Sequence, residues 1–195
     1  MKHIFGCKFE GVSNFAKFSA NNAVVFFAGN KGIVKDPLKD SKNQSFFTKH
    51  KHDIQCMDIH KNKEWVATGE TSRPDDYANI YIWSFDSKLV QASMKTGGKG
   101  GVVKLKFSNE GSKLLSVSND SLHTIDIFDV NNSRLLNSVA TESRVILDLS
   151  FKSEFEFASI TANNIRFWDI KGANLVSLKG NWLSYTGVEK TDKED

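Results

Sequence analysis

Four residues in one short stretch, His50, His52, Cys56 and His60, are of the types that hold zinc. Zinc takes four nitrogen or sulfur ligands converging tetrahedrally. The segment DIQCMDIH alternates like a strand, and on an extended chain Cys56 and His60 lie about 13 Å apart at ~3.3 Å per residue. They cannot share an ion without a sharp turn, so core and turn roles are expected and no metal is assigned. GGKGG, Gly97–Gly101, has the glycine-rich, basic composition of a phosphate cradle. A phosphate loop follows a strand and opens a helix. Here a strand follows instead, so a flexible connection is the expectation. His50, Thr68 and Trp83 form a third set. An imidazole, a hydroxyl and an indole N–H can bond in series between strands, and burial of such groups is tolerated when each finds a partner. The usual acid of such a relay has no clear place here, Asp76 being near but out of register. There is no HExxH pair, nucleophile elbow or P-loop, so neither catalysis nor a cofactor is expected.

The elements that position these residues repeat along the chain. Trp83, Phe128 and Trp168 recur at spacings of 45 and 40 residues, and His60, Phe107 and Phe151 at 47 and 44. Val103, Leu105 and Phe107 alternate with Lys104 and Lys106, which is the period of a half-buried strand. Leu114, Leu115 and Val117 follow as a buried run, then Ile125 to Phe128, then Arg134 to Val139, with Asn109-Glu110-Gly111 and Asn131-Asn132 as turns between them. Four strands at a period of about 40–45 residues make the blade of a WD40 propeller. Phe128-Asp129 and Trp168-Asp169 stand where that blade carries its Trp-Asp pair; the first unit has Trp83-Ser84 there. A weaker unit precedes these, with runs at Phe15–Phe18, Ala23–Ala28, Gly32–Lys35 and Gln44–Thr48.

The expected architecture is all-β: a partial WD40-type β-propeller of about four four-stranded antiparallel blades, spanning 8–48, 53–95, 101–140 and 144–179 within a segment 1–183. Phe107, Phe151, Trp83 and Trp168 are expected on inner sheet faces. The charged stretch 184–195 reads as a disordered tail. A partial ring leaves strand edges and apolar faces open, so further blades are expected from a longer parent chain or from another copy.

Composition sets the class of partner. The 195 residues carry 26 Lys and Arg against 23 Asp and Glu, interspersed, for a net charge of +3. That is a solvated surface, without the concentrated basic stripe of a nucleic-acid binder. No apolar run nears the ~20 residues needed to span a bilayer, and the start lacks the apolar core of a signal peptide. Two cysteines, Cys7 and Cys56, give no disulfide framework. A cytoplasmic protein with protein partners, and no nucleic acid or membrane, is the expectation.

Longer stretches resemble a known family. HKHDIQCMDIH followed by VATGE, the long loop after Gly69 ahead of NIYIW, and GVVKLKFSNEGSKLLSVSNDSLHTIDIFD and SRVILDLSFKSEFEFASITANNIRFWD are similar to the N-terminal propeller of the echinoderm microtubule-associated protein-like proteins. The start, IFGCKFEGVSN, resembles the family's lead into its first blade. The chain departs from the pattern at Lys49-His50, where the family has Gly-His. The resemblance implies a scaffold on the cytoskeleton whose partner is tubulin. The alternative is a WD40 adaptor that assembles a complex away from microtubules. In such blades, connections between units share one rim with the loops between second and third strands. Lys49 and Lys51 fall in the first kind of connection, Lys95 and Lys99 in its next copy, and Arg73 in the second kind. These five are the candidate contact, with Glu70, Asp75 and Asp76 on the same face.

Overall fold

In the computed structural model, Ile4 and residues 15–38, 43–141, 144–172 and 174–180 are described. Cys7 and the tail 184–195 lie outside them. The described residues form four antiparallel four-stranded sheets and no helix. The first sheet comprises β1 (Ala16–Phe18), β2 (Val24–Ala28), β3 (Lys31–Lys35) and β4 (Gln44–Phe47). The second comprises β5 (Ile54–Ile59), β6 (Trp65–Glu70), β7 (Tyr77–Ser84) and β8 (Val90–Lys99). The third has β9 (Val102–Phe107), β10 (Lys113–Ser118), β11 (Ile125–Asp129) and β12 (Arg134–Val139); the fourth has β13 (Ile146–Phe151), β14 (Glu156–Thr161), β15 (Ile165–Lys171) and β16 (Asn174–Gly180). Each sheet is a simple meander in chain order, as short connections demand.

Period-two alternation decides which side chains meet the neighbouring sheet. Val25, Phe27 and Phe47 of the first sheet pack against Met57, Val66 and Trp83 of the second. The Trp83 indole lies flat on the Phe47 ring, with centroids 4.6 Å apart and planes 3° from parallel. Ala67, Ile80, Ile82 and Met94, on the other face of the second sheet, meet Leu105, Phe107, Leu114 and Phe128 of the third. Leu115, Val117, Ile125 and Ile127 then meet Leu149, Phe151, Phe157 and Trp168 of the fourth. The four inner-face aromatics thus all point toward the preceding sheet. Complete burial of each large apolar side chain contributes about 1.5–3 kcal/mol, so three such interfaces in series hold the blades together. The sheets are not closed into a ring, and the outward face of the fourth exposes Leu147, Phe167, Val176 and Leu178.

Candidate binding surface

Antiparallel pairing puts the start of each first strand, the second-to-third-strand loop and the end of each fourth strand at one end of a sheet. Backbone hydrogen bonds stitch these segments into one rim. Thr71 N donates to Asp53 O at 2.7 Å, joining the loop between β6 and β7 to the β4–β5 connection. Gly100 N donates to Asp76 O at 3.1 Å, Asn119 N to Gly101 O at 3.0 Å, and Thr141 N to Leu122 O at 3.0 Å. Connections tied in this way are held in place by the sheets beneath, so their side chains project from a fixed frame.

Lys49 and Lys51 project from the β4–β5 connection and Arg73 from the β6–β7 loop; all three are exposed. None of the three has a side-chain ion pair among the described residues. Lys99 ends β8, and its ammonium lies 5.8 Å from the centroid of the Tyr77 ring, within range of a cation–π contact. Asp75 and Asp76 are exposed on the same loop as Arg73. Asp120 sits farther along, its Oδ1 accepting from Leu122 N at 3.1 Å and Thr124 N at 3.0 Å. Burial opposes its ionisation, but the Thr124 hydroxyl and these N–H groups outweigh it and lower its pKa.

Lys95 stands elsewhere. β8 is longer than expected and runs to Lys99, so Lys95 lies mid-strand opposite Asn79 and projects from the outermost strand instead of from a connection. The same length corrects the expectation of a flexible Gly97–Gly101 loop: only Gly100 and Gly101 lie outside the strand. A Cβ on Gly97 would stand 2.6 Å from Asp126 Oδ1, and one on Gly98 2.5 Å from Asp120 Oδ2. These glycines are needed because β8 passes directly over side chains of the third sheet. Gly97 N donates to Asp126 Oδ2 at 2.8 Å. Burial raises the Asp126 pKa despite bonds from Ser138, Gly97, Gly98 and Ser116.

Beneath the rim, His50, Thr68 and Trp83 come together in a buried chain. Trp83 Nε1 donates to Thr68 Oγ1 at 3.1 Å, and Thr68 Oγ1 lies 2.7 Å from His50 Nε2. His50 Nδ1 lies 3.0 Å from Glu70 Oε2. A single orientation satisfies every group: indole N–H to hydroxyl, hydroxyl to Nε2, Nδ1–H to carboxylate. The acid is therefore Glu70, not Asp76, and Glu70 is 1% exposed rather than a solvated rim charge. Its Oε2 also accepts from Lys51 N at 3.1 Å and His52 N at 3.4 Å, and its Oε1 from Asn79 N at 3.3 Å and from the Asn79 amide. Burial works against the carboxylate. Hydrogen bonds from His50 and Asn79, the electrostatic attraction of the His50 ring and the His52 N–H overcome that, bringing its pKa to about 2. The relay thereby fixes the backbone that carries Lys49 and Lys51. Sequence reasoning missed Glu70, although period two places it on the face of β6 that Thr68 occupies.

The fourth sheet keeps part of this chain: Trp168 Nε1 donates to Ser159 Oγ at 2.8 Å. The third has Phe128 at that place and no N–H to give. Asp129 caps its own turn, accepting from Asn132 N at 3.1 Å and Asn132 Nδ2 at 2.8 Å, and Asp169 pairs with Lys171 at 3.2 Å. The histidines and cysteine considered for zinc are dispersed. Cys56 donates to Val102 O at 3.3 Å, and burial pushes its thiol pKa up. His60 takes a hydrogen bond from Asn62 N at 3.2 Å and meets the Phe107 ring edge-on at 5.1 Å. No three His, Cys, Asp or Glu side chains converge on a metal-sized site among the described residues.

No protein-family profile matches the chain. Curated relatives do. The chain is 22% identical over 177 residues to the echinoderm microtubule-associated protein-like protein elp-1 of Caenorhabditis elegans, covering 76% of this chain and 20% of that protein. It is 22% identical over 157 residues to the 77 kDa echinoderm microtubule-associated protein of Strongylocentrotus purpuratus, covering 75% and 22%. Echinoderm microtubule-associated protein-like 3 of Homo sapiens is 22% identical over 148 residues, covering 71% and 16%. The chain thus has homologues among the echinoderm microtubule-associated protein-like proteins, and spans about a fifth of the length of the first of them.

Proposed function

We propose that this chain is a propeller-type interaction module of the microtubule cytoskeleton, and that it binds an acidic protein surface, tubulin's, with the stitched rim. The observation that carries the reading is homology to microtubule-associated proteins over three quarters of the chain. The rim supports it, because Lys49, Lys51 and Arg73 project from connections that the sheets hold fixed, and Lys99 projects beside them from the end of β8. Preorganised cations lose little freedom on binding, which conserves affinity. Function as a scaffold in the cytoplasm, with no catalytic step and no cofactor, follows from the same reading. The blade boundaries 8–48, 53–95, 101–140 and 144–179 are proposed to mark its units, with the second extended to Lys99, where β8 ends.

Co-sedimentation with microtubules tests the proposal. Changing Lys49, Lys51 and Lys99 to Glu is expected to reduce pelleting at least tenfold at low salt. Lys95→Glu is expected to leave it unchanged, because Lys95 lies on the outermost strand. Binding of the unaltered chain is expected to weaken as added salt shortens the Debye length from about 10 Å at 0.1 M to about 3 Å at 1 M. Equal pelleting of the triple variant and the unaltered chain would remove the rim from the contact. Failure of the unaltered chain to pellet would count against the microtubule reading itself.

A further inference from the structure

The rim carries more than charge. Tyr77, the first residue of β7, is 50% exposed, and Leu122, in the β10–β11 loop, is 45% exposed. Their neighbours in the two loops, 71–76 and 119–124, are polar apart from Pro74. Lys99 links the two side chains. It stands opposite Tyr77 across the β7–β8 ladder, with its ammonium 5.8 Å from the centroid of the phenol ring. Its backbone N–H donates to Asp120, and Asp120 Oδ1 in turn accepts from Leu122 N at 3.1 Å. Backbone bonds hold both loops still: Gly100 N donates to Asp76 O beside Tyr77, and Thr141 Oγ1 donates to Leu122 O at 2.7 Å.

The charges around this group are mixed. Lys99 has no carboxylate partner among the described residues. The Asp120 carboxylate is spent on the backbone, taking Thr124 N as well as Leu122 N, and its Oδ2 faces Gly98. Asp75 and Asp76 are exposed in the loop that leads into Tyr77. A continuous run of carboxylates brought to Lys99 would also meet these two, and like charges set side by side disfavour that partner. A single carboxylate among apolar side chains avoids the repulsion. It meets Lys99 with its charge and Tyr77 and Leu122 with its neighbours. Tyrosine is enriched among the residues that carry binding energy, and side chains on a fixed frame lose little freedom on association.

We propose that Tyr77, Lys99 and Leu122 form an amphipathic contact within the rim, and that it takes a folded protein surface on which one carboxylate stands among apolar side chains. On a microtubule that surface belongs to the folded body of tubulin and not to its acidic tails. The inference rests on the microtubule reading and narrows it.

Co-sedimentation tests it with intact microtubules and with microtubules whose acidic tails have been removed by limited proteolysis. The unaltered chain is expected to pellet equally with both. Tyr77→Ala combined with Leu122→Ala is expected to weaken binding to both by about tenfold or more. The salt dependence of the remaining binding is expected to stay the same, because no charge has been removed. Pelleting that requires the tails overturns the inference and leaves the rim as the contact. Equal pelleting of the double variant and the unaltered chain does the same. Failure of the unaltered chain to pellet with either preparation overturns the microtubule reading and the inference with it. A second readout does not depend on how the alanine pair folds. Leu122→Cys is placed in a chain carrying Cys7→Ser, so that the other thiol is the buried Cys56. Its reaction with a maleimide is expected to slow by about fivefold or more when the chain is bound to tail-stripped microtubules. An unchanged rate for the bound chain overturns the inference.

Discussion

With its oxygens taken by His50 Nδ1, Asn79 and the backbone of Lys51 and His52, the Glu70 carboxylate is held ionised in a site nearly closed to water. Its folded pKa of about 2 lies below the ordinary 4.5. The ionised form therefore stabilises the fold, by about 3 kcal/mol at 1.36 kcal/mol per pKa unit. Because the folded value is depressed, that contribution is complete above pH 4.5 and is lost as pH falls through 4.5 toward 2. Asp120, Asp129 and Glu154 are lowered too and act in the same direction, while Asp126 is raised and opposes them. Glu70→Gln is expected to cost roughly 3 kcal/mol near pH 7, since it removes one partner of a buried pair. Urea titrations at pH 7, 4.5 and 3 check this. The unaltered chain should lose more stability across that range than the variant. Parallel losses would place the acid sensitivity on the other carboxylates.

β8 shows how an element's length can be set from outside it. Gly97 and Gly98 face side chains of the third sheet with no room for a Cβ, so Gly98→Ala is expected to overpack the site and cost roughly 2 kcal/mol. A urea midpoint equal to that of the unaltered chain would contradict the close approach. Glycine in that stretch reads as a loop when only the local chain is considered. Its cause lies in Ser118, Asp120, Asp126 and Ser138, twenty to forty residues away in sequence, and no local rule reaches that far. The displaced position of Lys95 has the same origin. What was legible were features with a period. The aromatic anchors lie at blade spacing and alternate correctly, so their faces follow from period two. Thr68 and Trp83 carry groups that need partners when buried, and their meeting with His50 needed only the blade pattern. Glu70 was misplaced because a carboxylate next to a loop reads as solvated, and only the fold shows His50 and Asn79 closing over it.

The described sheets form a series in which the second and third each touch the sheet before and the sheet after. Stability in such arrays is close to a sum of unit and nearest-neighbour terms, and opening begins at the least covered end. Amide exchange is expected to be slowest in β6, β10 and β11, whose sheets are covered on both faces, and faster in β15 and β16. Uniform protection along the chain would instead show one cooperative block. Glu154, between β13 and β14, accepts from Ser108 Oγ at 2.8 Å, from Glu110 N and from Ser112 Oγ, and this reach back to the third sheet has a bearing on biosynthesis. Ser108 and Glu154 are 46 positions apart, and at about 5–20 residues per second on the ribosome that distance is a delay on the order of seconds. During that interval the hydroxyls of Ser108 and Ser112 and the Glu110 N–H wait without their acceptor, so the third sheet emerges from the ribosome unfinished. The third blade is completed by the translation of its successor.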